Sequence, residues 1–349
     1  MKTKILRLDE EHIDQEAMAE AGRVICAGGL VAFPTETVYG LGGDALNADS
    51  SGKIYAAKGR PSDNPLIVHI ADMDGLKEVA AKVPEAALRL AERFWPGPLT
   101  MIFKKADCVP YATTGGLDTV AVRMPSNKIA RELIRTSGRY IAAPSANLSG
   151  KPSPTDAKHV IQDLYGRVDI ILDGGESDIG LESTIIDLSG EMPVILRPGY
   201  ITEEMLGEII TGIDTDKNIL DANADIAPKA PGMKYRHYAP KGNLVVVEGG
   251  QEQVTAYING RLREHKAEGK RTGVIATDET VAGYRADSVK SAGRRDDECA
   301  IAKHLFRILR EFDDEEIQMI YAEAFDSTGV GYAIMNRLLK AAGHQVITL

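Results

Sequence analysis

The sequence has its densest cluster of unusual residues in the stretch Phe33-Pro-Thr-Glu-Thr-Val-Tyr-Gly-Leu-Gly-Gly-Asp44, where a short apolar strand runs directly into hydroxyl, acidic and glycine residues. Glycine lets a backbone approach a ligand closely, and threonine hydroxyls and amide groups supply hydrogen-bond donors. Ordinary turn chemistry is the alternative reading of these glycines. The pattern Gly40-x-Gly42-x-x-Ala45 is not a dinucleotide fingerprint, whose glycines must follow the strand directly and open a helix.

The segments around this stretch predict an α/β fold with a mixed sheet. Apolar residues recur at helical spacing over Glu11–Ala27, and a second helix is predicted over Pro84–Phe94. Predicted strands are Leu30–Phe33, Leu66–Ile70, Leu99–Phe103, Thr119–Arg123, Tyr140–Ala143, Ile170–Leu172, Thr184–Asp187 and Val194–Leu196. Strands and helices do not alternate strictly, which favours a mixed sheet with helices packed on it.

The 349 residues divide into two predicted domains, 1–211 and 244–349. Residues 212–243 are rich in Asp, Asn and Pro and read as a linker. In the second domain strands and helices alternate, which predicts a small, mostly parallel, doubly wound sheet of the Rossmann type. Its predicted elements are Leu244–Glu248, Gln251–Ala267, Gly273–Ala276, Asp297–Phe312, Gln318–Ala322, Gly331–Ala342 and Val346–Thr348.

Composition narrows the class of protein. The net charge of −10 favours solubility and opposes sequence-independent binding of nucleic acid. Three scattered cysteines argue against a disulfide scaffold or a cysteine-built zinc site, and seven dispersed histidines against a structural metal. No apolar run is long enough to span a membrane, and the N-terminus lacks a signal-peptide pattern. We therefore expect a cytoplasmic protein without a metal site.

Several motifs outside the opening stretch have the side chains that phosphate binding requires. The segment Lys58-Gly-Arg-Pro-Ser-Asp-Asn-Pro65 predicts an extended loop with two fixed cations, and a solvated basic loop is the alternative. His69 lies in an apolar strand and is either a core residue or a site residue. Arg123 ends a strand and could bind a carboxylate or form a surface ion pair.

Further polar residues follow strand ends in Ala143-Pro-Ser-Ala-Asn-Leu-Ser-Gly-Lys-Pro-Ser-Pro154, Glu182-Ser-Thr and Arg197-Pro-Gly. Such loops bind anions or form ordinary turns. The G-x-S-x-G, H-E-x-x-H and G-x-x-x-x-G-K-[ST] motifs are absent from the sequence. Together these features predict charge-stabilised phosphate chemistry on a small polar substrate without a protein nucleophile.

These motifs, taken in order, resemble those of the YrdC-like threonylcarbamoyl-AMP synthases. The segment Ala230-Pro-Gly-Met-Lys-Tyr-Arg-His-Tyr-Ala-Pro240 resembles the linker of the long, two-domain form of that family. The resemblance implies an N-terminal YrdC-like α/β domain with a twisted mixed sheet and helices, and a smaller C-terminal Rossmann-like domain. It also implies a nucleotidyltransferase that makes L-threonylcarbamoyladenylate and pyrophosphate from ATP, L-threonine and bicarbonate or carbon dioxide.

The resemblance further implies that the product modifies adenosine 37 of tRNAs reading codons that begin with A, through transient contact with a separate transferase complex. Mg²⁺ would accompany ATP, and no stable binding of nucleic acid or membrane is expected. The alternative functions are an RNA-binding module and a carbamoyl-phosphate-dependent carbamoyltransferase. Carbamoyltransferases that contain a similar domain also carry acylphosphatase and zinc-finger segments, and this sequence lacks both.

Site residues carried over from the resemblance fall into two sets. The residues implied for L-threonine are Thr35, His69, Arg123, Ala143 and Ser183. Those implied for ATP are Lys58, Arg60, Asn64, Thr119, Ser145, Ser153, Arg197 and Tyr235, with Lys58 and Arg60 as the catalytic cations. Tyr235 and its neighbours could fold over the site as a lid. Replacing Arg123 by alanine is expected to abolish threonine-dependent turnover while leaving the fold intact.

Overall fold

The computed structural model describes residues 2–216 and 238–349. The strands of the first domain are β1 (Lys4–Arg7), β2 (Val31–Phe33), β3 (Gly40–Asp44), β4 (Ile67–His69), β5 (Leu99–Lys104), β6 (Thr119–Arg123), β7 (Ile141–Ala143), β8 (Ile170–Asp173), β9 (Thr184–Asp187), β10 (Val194–Arg197) and β11 (Asp214–Thr215). Its helices are α1 (Gln15–Cys26), α2 (Ala48–Lys58), α3 (Met73–Val79), α4 (Glu85–Phe94), α5 (Tyr111–Thr114), α6 (Lys128–Ser137), α7 (Ala157–Leu164) and α8 (Glu203–Gly207).

These strands form one mixed sheet in the order β1-β8-β2-β3-β7-β4-β6-β5-β9-β10-β11. Strands β4 and β6 are parallel, whereas β5 and β6 are antiparallel, so the predicted mixed sheet is confirmed. Residues alternate between its two faces. Val31 and Phe33 of β2 pack in a cluster with α1 and α6, while Ala32 faces the larger core on the other side.

Strand β3 corrects the expectation of a glycine-rich turn at Gly40–Asp44. It is antiparallel to both neighbours, β2 and β7, unlike the parallel strand of a dinucleotide fingerprint. Side chains packed against β3 explain why this strand contains glycine. A Cβ atom at Gly42 would lie 2.6 Å from Ile141 Cγ2 and 2.8 Å from Phe33 Cε1, so any side chain there would force those two apart.

The second domain comprises β12 (Asn243–Glu248), α9 (Gln251–Ala267), β13 (Thr272–Ala276), β14 (Ser288–Ser291), α10 (Glu298–Asp314), β15 (Met319–Glu323), α11 (Gly329–Ala341) and β16 (Val346–Thr348). Its five strands are all parallel, in the order β14-β13-β15-β12-β16. Side chains of α10 and α11 pack on one face, and those of α9 on the other. The predicted parallel-sheet domain is therefore confirmed.

The two domains share a hydrophobic core close to the opening stretch of the sequence. Val38 and Leu181 of the first domain belong to one cluster with Phe306 and other apolar residues of α10 and α11. Gly180 has φ +76°, and a Cβ atom there would lie 2.5 Å from Lys303 Cα of α10. The second domain thus packs directly behind the Pro34–Val38 loop. Among the described residues, no helix is long and apolar enough to cross a membrane.

Candidate functional site

A cleft lies where the strand ends of the first domain meet the segment that begins at Tyr238. It measures about 680 Å³ including its open mouth. Nine of the sequence-predicted site residues line it: Thr35, Lys58, Arg60, His69, Arg123, Ala143, Ser145, Ser183 and Arg197. Residues more than 160 positions apart in the sequence are therefore brought to one cleft.

Three further predicted site residues, all within the described part of the chain, are not part of its lining. Ser153 is buried and donates a hydrogen bond to Glu182, and Asn64 is buried next to Arg60. Thr119 begins β6, four residues before Arg123. Tyr235 and the predicted lid lie outside the described residues.

Arg123 ends β6 and lies in register with His69 of β4 and Thr100 of β5. Its side chain is buried, and Nη2 lies 2.8 Å from Glu36 Oε1. Nη1 donates a hydrogen bond to Thr37 Oγ1 at 2.9 Å. Glu36 does not line the cleft, so it holds the guanidinium from behind. The alternative of a surface ion pair for Arg123 is thereby wrong, because both partners are buried.

His69 contributes a neutral imidazole to the cleft. Burial, and next the positive charge of Arg123, lower its pKa to about 3. Nδ1 lies 3.0 Å from the carbonyl oxygen of Ile67, and the ring meets Phe33 edge-on at 5.9 Å between centroids. At neutral pH this side chain therefore adds no charge beside Arg123.

Lys58 does not lie in an extended loop, as the sequence suggested, but is the last residue of α2. Gly59, with φ +63°, ends the helix in the left-handed conformation that favours glycine. Lys58 Nζ donates hydrogen bonds to the carbonyl oxygens of Ser145 and Asn147. Burial, and next the charge of Arg60, lower the pKa of Lys58 well below its usual value. The solvated-loop alternative for this residue is wrong.

Arg60 follows two residues later and is anchored by backbone oxygens. Nη2 donates to the carbonyl oxygens of Asn64 and Pro65 at 3.3 and 3.2 Å. Burial lowers the pKa of Arg60 to about 10, which still leaves the guanidinium charged at neutral pH. Lys58 and Arg60 thus add two basic side chains to the cleft lining, both held by hydrogen bonds to backbone oxygens.

Glu182 also lines the cleft, and no role is predicted for it from the sequence. Its carboxylate accepts a hydrogen bond from Ser153 Oγ at 2.5 Å and from Arg337 Nε at 2.8 Å. The neighbouring residue, Ser183, accepts from Arg197 through its carbonyl oxygen at 3.0 Å and through Oγ at 3.1 Å. The motif Glu182-Ser-Thr at a strand end indicates a site residue at position 182. No local motif indicates a site role for Arg337, because the sequence around it has an ordinary helical pattern.

The cleft therefore combines a buried arginine, three further cationic side chains and several hydroxyl groups. Such a set can hold a carboxylate and a polyphosphate together. Within residues 2–216 and 238–349, no cluster of three or more His, Cys, Asp or Glu side chains could hold a metal ion.

Two family profiles match the chain. That of the Sua5/YciO/YrdC family, described as telomere recombination, covers residues 23–199. That of the threonylcarbamoyl-AMP synthase C-terminal domain covers residues 201–343. The two profiles together span both domains of the structure.

Known proteins of similar sequence and structure carry the corresponding names. A threonylcarbamoyl-AMP synthase of Bacillus subtilis is 50% identical over 99% of this chain and 100% of the relative. One of Pseudomonas putida is 35% identical over 52% of this chain and 96% of its own length. The crystal structure of Pyrococcus abyssi Sua5 complexed with L-threonine matches with a TM-score of 0.94 and 48% identity, covering 99% of this chain and 100% of that one.

Proposed function

The chain belongs to the Sua5/YciO/YrdC family, and from that premise we propose that it synthesises L-threonylcarbamoyl-AMP in this cleft. The substrates are L-threonine, ATP and bicarbonate or carbon dioxide, and the second product is pyrophosphate. The activated group is destined for position 37 of tRNAs that read codons beginning with A. The observation that carries the proposal is the convergence of Arg123, three other cations and several hydroxyl groups on one cleft.

The reaction requires no covalent bond to the protein. The amino group of threonine adds to carbon dioxide and loses a proton, which gives a carbamate. A carbamate oxygen then attacks the α-phosphorus of ATP. The new oxygen–phosphorus bond forms as the bond to the bridging oxygen breaks, and that oxygen leaves with pyrophosphate. Negative charge grows on the leaving group, so cations fixed beside it stabilise the transition state.

We assign one set of side chains to threonine. The Arg123 guanidinium, held from behind by Glu36, would bind the substrate carboxylate through two hydrogen bonds. Thr35 and Ser183 supply hydroxyl groups, and His69 supplies an imidazole that carries no charge at neutral pH. Ala143 lines the same cleft with only a methyl group, which leaves space for the substrate.

A second set is assigned to ATP. Lys58 and Arg60 would act as the catalytic cations beside the phosphates, together with Arg197 and Ser145. Asn64 and Ser153 would support these groups from outside the lining, through the contacts with Arg60 and Glu182. The ATP-binding roles of Thr119 and Tyr235 remain predictions from the family resemblance.

Magnesium would enter the cleft with the nucleotide. The described residues offer no ligand set of their own for it, so phosphate oxygens and water would hold the ion. Its contribution is to neutralise phosphate charge. We further propose that the chain works in the cytoplasm, passes its product to a tRNA-modifying transferase complex by transient contact, and does not hold tRNA stably, given its net charge of −10.

The test measures the pyrophosphate released from ATP in the presence of Mg²⁺, with and without L-threonine and bicarbonate. We expect release to depend on both. Arg197→Met should reduce it strongly, whereas Arg294→Met, in which a side chain 67% exposed is changed, should behave like the parent protein. Pyrophosphate release that does not respond to threonine would refute the proposed function.

A further inference from the structure

Helix α11 of the second domain carries a fully buried arginine that reaches the wall of the cleft. Arg337 has an exposed fraction of 0%. Nε donates to Glu182 Oε2 at 2.8 Å, and Nη2 donates to the carbonyl oxygen of Pro198 at 2.9 Å. Nη1 donates to Asn336 Oδ1 at 2.7 Å. Both contacts across the domain boundary therefore end on segments of the first domain that line the cleft.

The partners of Arg337 adjoin residues assigned to substrates. Glu182 precedes Ser183 in the chain and accepts the hydrogen bond of Ser153. Pro198 directly follows Arg197. One guanidinium thus fixes the backbone beside Arg197 and the carboxylate that orients Ser153. Burying an arginine is costly unless its hydrogen bonds and charge are matched, and here they are matched by groups of the cleft wall.

We propose that Arg337 is a positioning residue for the ATP-binding part of the cleft, so that the second domain completes the site of the first. Arg337 neutralises Glu182 and keeps that carboxylate from cancelling the charge of Arg197. The inference rests on the proposed ATP-binding role of Arg197 and Ser153. It gives a function to a domain whose sequence carries no catalytic motif.

The charges around Glu182 support this role. Burial raises the pKa of Glu182, but the charges of Arg337 and then Arg197, with the Ser153 hydrogen bond, bring it below its usual value. Glu182 is therefore ionised at neutral pH. When Arg337 is removed, Arg197 is the next cation facing this carboxylate. A tighter Glu182–Arg197 pair would withdraw positive charge from the phosphates of ATP.

A purely structural role for Arg337 makes a different prediction. The same domain boundary contains a second buried arginine, Arg310, which donates to the carbonyl oxygen of Pro152 and to Asp163. If Arg337 only joined the domains, its loss would weaken the binding of both substrates by the same factor, and removing the charge of Glu182 could not restore ATP binding. Removing that charge should restore binding if Arg337 acts by neutralising Glu182.

The experiment is titration calorimetry of the full chain with two separate ligands, L-threonine and the magnesium complex of α,β-methylene-ATP. We expect Arg337→Met to weaken nucleotide binding about tenfold, the ratio that matches one lost charge-assisted hydrogen bond. Threonine binding should weaken less than nucleotide binding, because Arg123 and its Glu36 partner are untouched, although Arg197 also donates to Ser183 of the threonine set. The double variant Arg337→Met/Glu182→Gln should bind the nucleotide more tightly than Arg337→Met alone.

Two further variants complete the design. Arg337→Lys retains a charge that can pair with Glu182 and should lie between the parent and Arg337→Met; it also serves if the methionine variant does not fold. Arg295→Met breaks another arginine–glutamate contact, with Glu323, inside the second domain, and should leave nucleotide affinity unchanged. Among residues 2–216 and 238–349, Arg295 forms its hydrogen bonds and ion pair with residues outside the cleft lining.

Three results would overturn the inference: unchanged nucleotide affinity in the Arg337 variants, equal weakening of both ligands, or no recovery in the double variant. They are distinguishable from failure of the proposed function. A parent protein that binds no nucleotide, or that releases pyrophosphate without threonine, contradicts the function itself. A parent that binds and turns over normally, with Arg337 variants that do the same, contradicts only the role of Arg337.

Discussion

The buried Arg123–Glu36 pair makes the most specific prediction about the cleft. The family resemblance suggests that Arg123→Ala abolishes threonine-dependent turnover and leaves the fold intact, and the structure changes the second part of that expectation. Glu36 is 5% exposed, and its carboxylate accepts no hydrogen bond from any described residue, so the ion contact at 2.8 Å is what compensates its charge. Loss of one partner from a buried pair costs about 3–5 kcal/mol.

We therefore expect Arg123→Met to lower the free energy of unfolding by about 3–5 kcal/mol and to abolish threonine binding. In Arg123→Met/Glu36→Gln the buried charge is gone, and only an amide without partners remains, at a cost of about 1–3 kcal/mol. The double variant should thus recover part of the stability but none of the threonine affinity.

Urea unfolding followed by circular dichroism gives the stability, and calorimetry gives the affinity for threonine. Arg93→Met, a surface change, serves as the control. An Arg123→Met variant as stable as the parent protein would contradict the role assigned to the buried pair. Threonine binding regained in the double variant would contradict the role of Arg123 in binding the substrate.

Three further predictions follow from other contacts. Burial lowers the pKa of His159 to about 3, so between pH 6.5 and 3 the folded state binds fewer protons than the unfolded state and the parent protein should lose stability as the pH falls. His159→Gln should reduce the slope of stability against pH by about 1.4 kcal/mol per pH unit. An unchanged slope would be the contrary result. Burial lowers the pKa of Lys58, and the phosphates of bound ATP would raise that pKa again, so ATP binding should take up protons at pH values between the pKa of the free and of the bound state. Calorimetry in buffers of different ionisation enthalpy, repeated over a range of pH, measures this uptake. Lys58→Met should abolish it, and persistence of the uptake would contradict the assignment. Gly180 has φ +76°, and Gly180→Ala would place a methyl group 2.5 Å from Lys303 Cα, so the melting temperature should fall. Gly116→Ala, also at positive φ but in open space, measures the cost of the backbone conformation alone. Equal decreases in melting temperature would argue against close packing of the domains.

Much of the fold could be predicted from local patterns. The predicted strand Thr119–Arg123 and the predicted helix Gln251–Ala267 coincide with β6 and α9, because alternation and helical periodicity are strong in both. Strand β3 was missed, since glycine is normally depleted in strands and is required at Gly42 only by the side chains packed against it. Helix α2 was missed because Ser50, Ser51 and neighbouring polar residues obscure its periodicity.

Some residues of the candidate site can be predicted from local patterns, and others cannot. Residues at strand ends, such as Arg123 and Arg197, could be found because polar groups interrupt an apolar pattern there. The support behind them could not, because it depends on long-range contacts. Glu182 and Arg337 are 155 residues apart, and the helix that carries Arg337 reads as an ordinary amphipathic segment. No local pattern encodes the pairing of two such positions.

The proposed reaction joins threonine, the carbon of bicarbonate and the adenylate of ATP in this cleft. Incubation with ¹³C-bicarbonate, L-threonine and ATP, followed by mass spectrometry of the quenched mixture, tests whether all three enter one product. We predict a labile adenylate that carries one ¹³C atom and the threonine moiety, formed in equal amount with pyrophosphate. Pyrophosphate or AMP produced without such a labelled adduct, or an adduct that forms in the absence of threonine, would contradict the account.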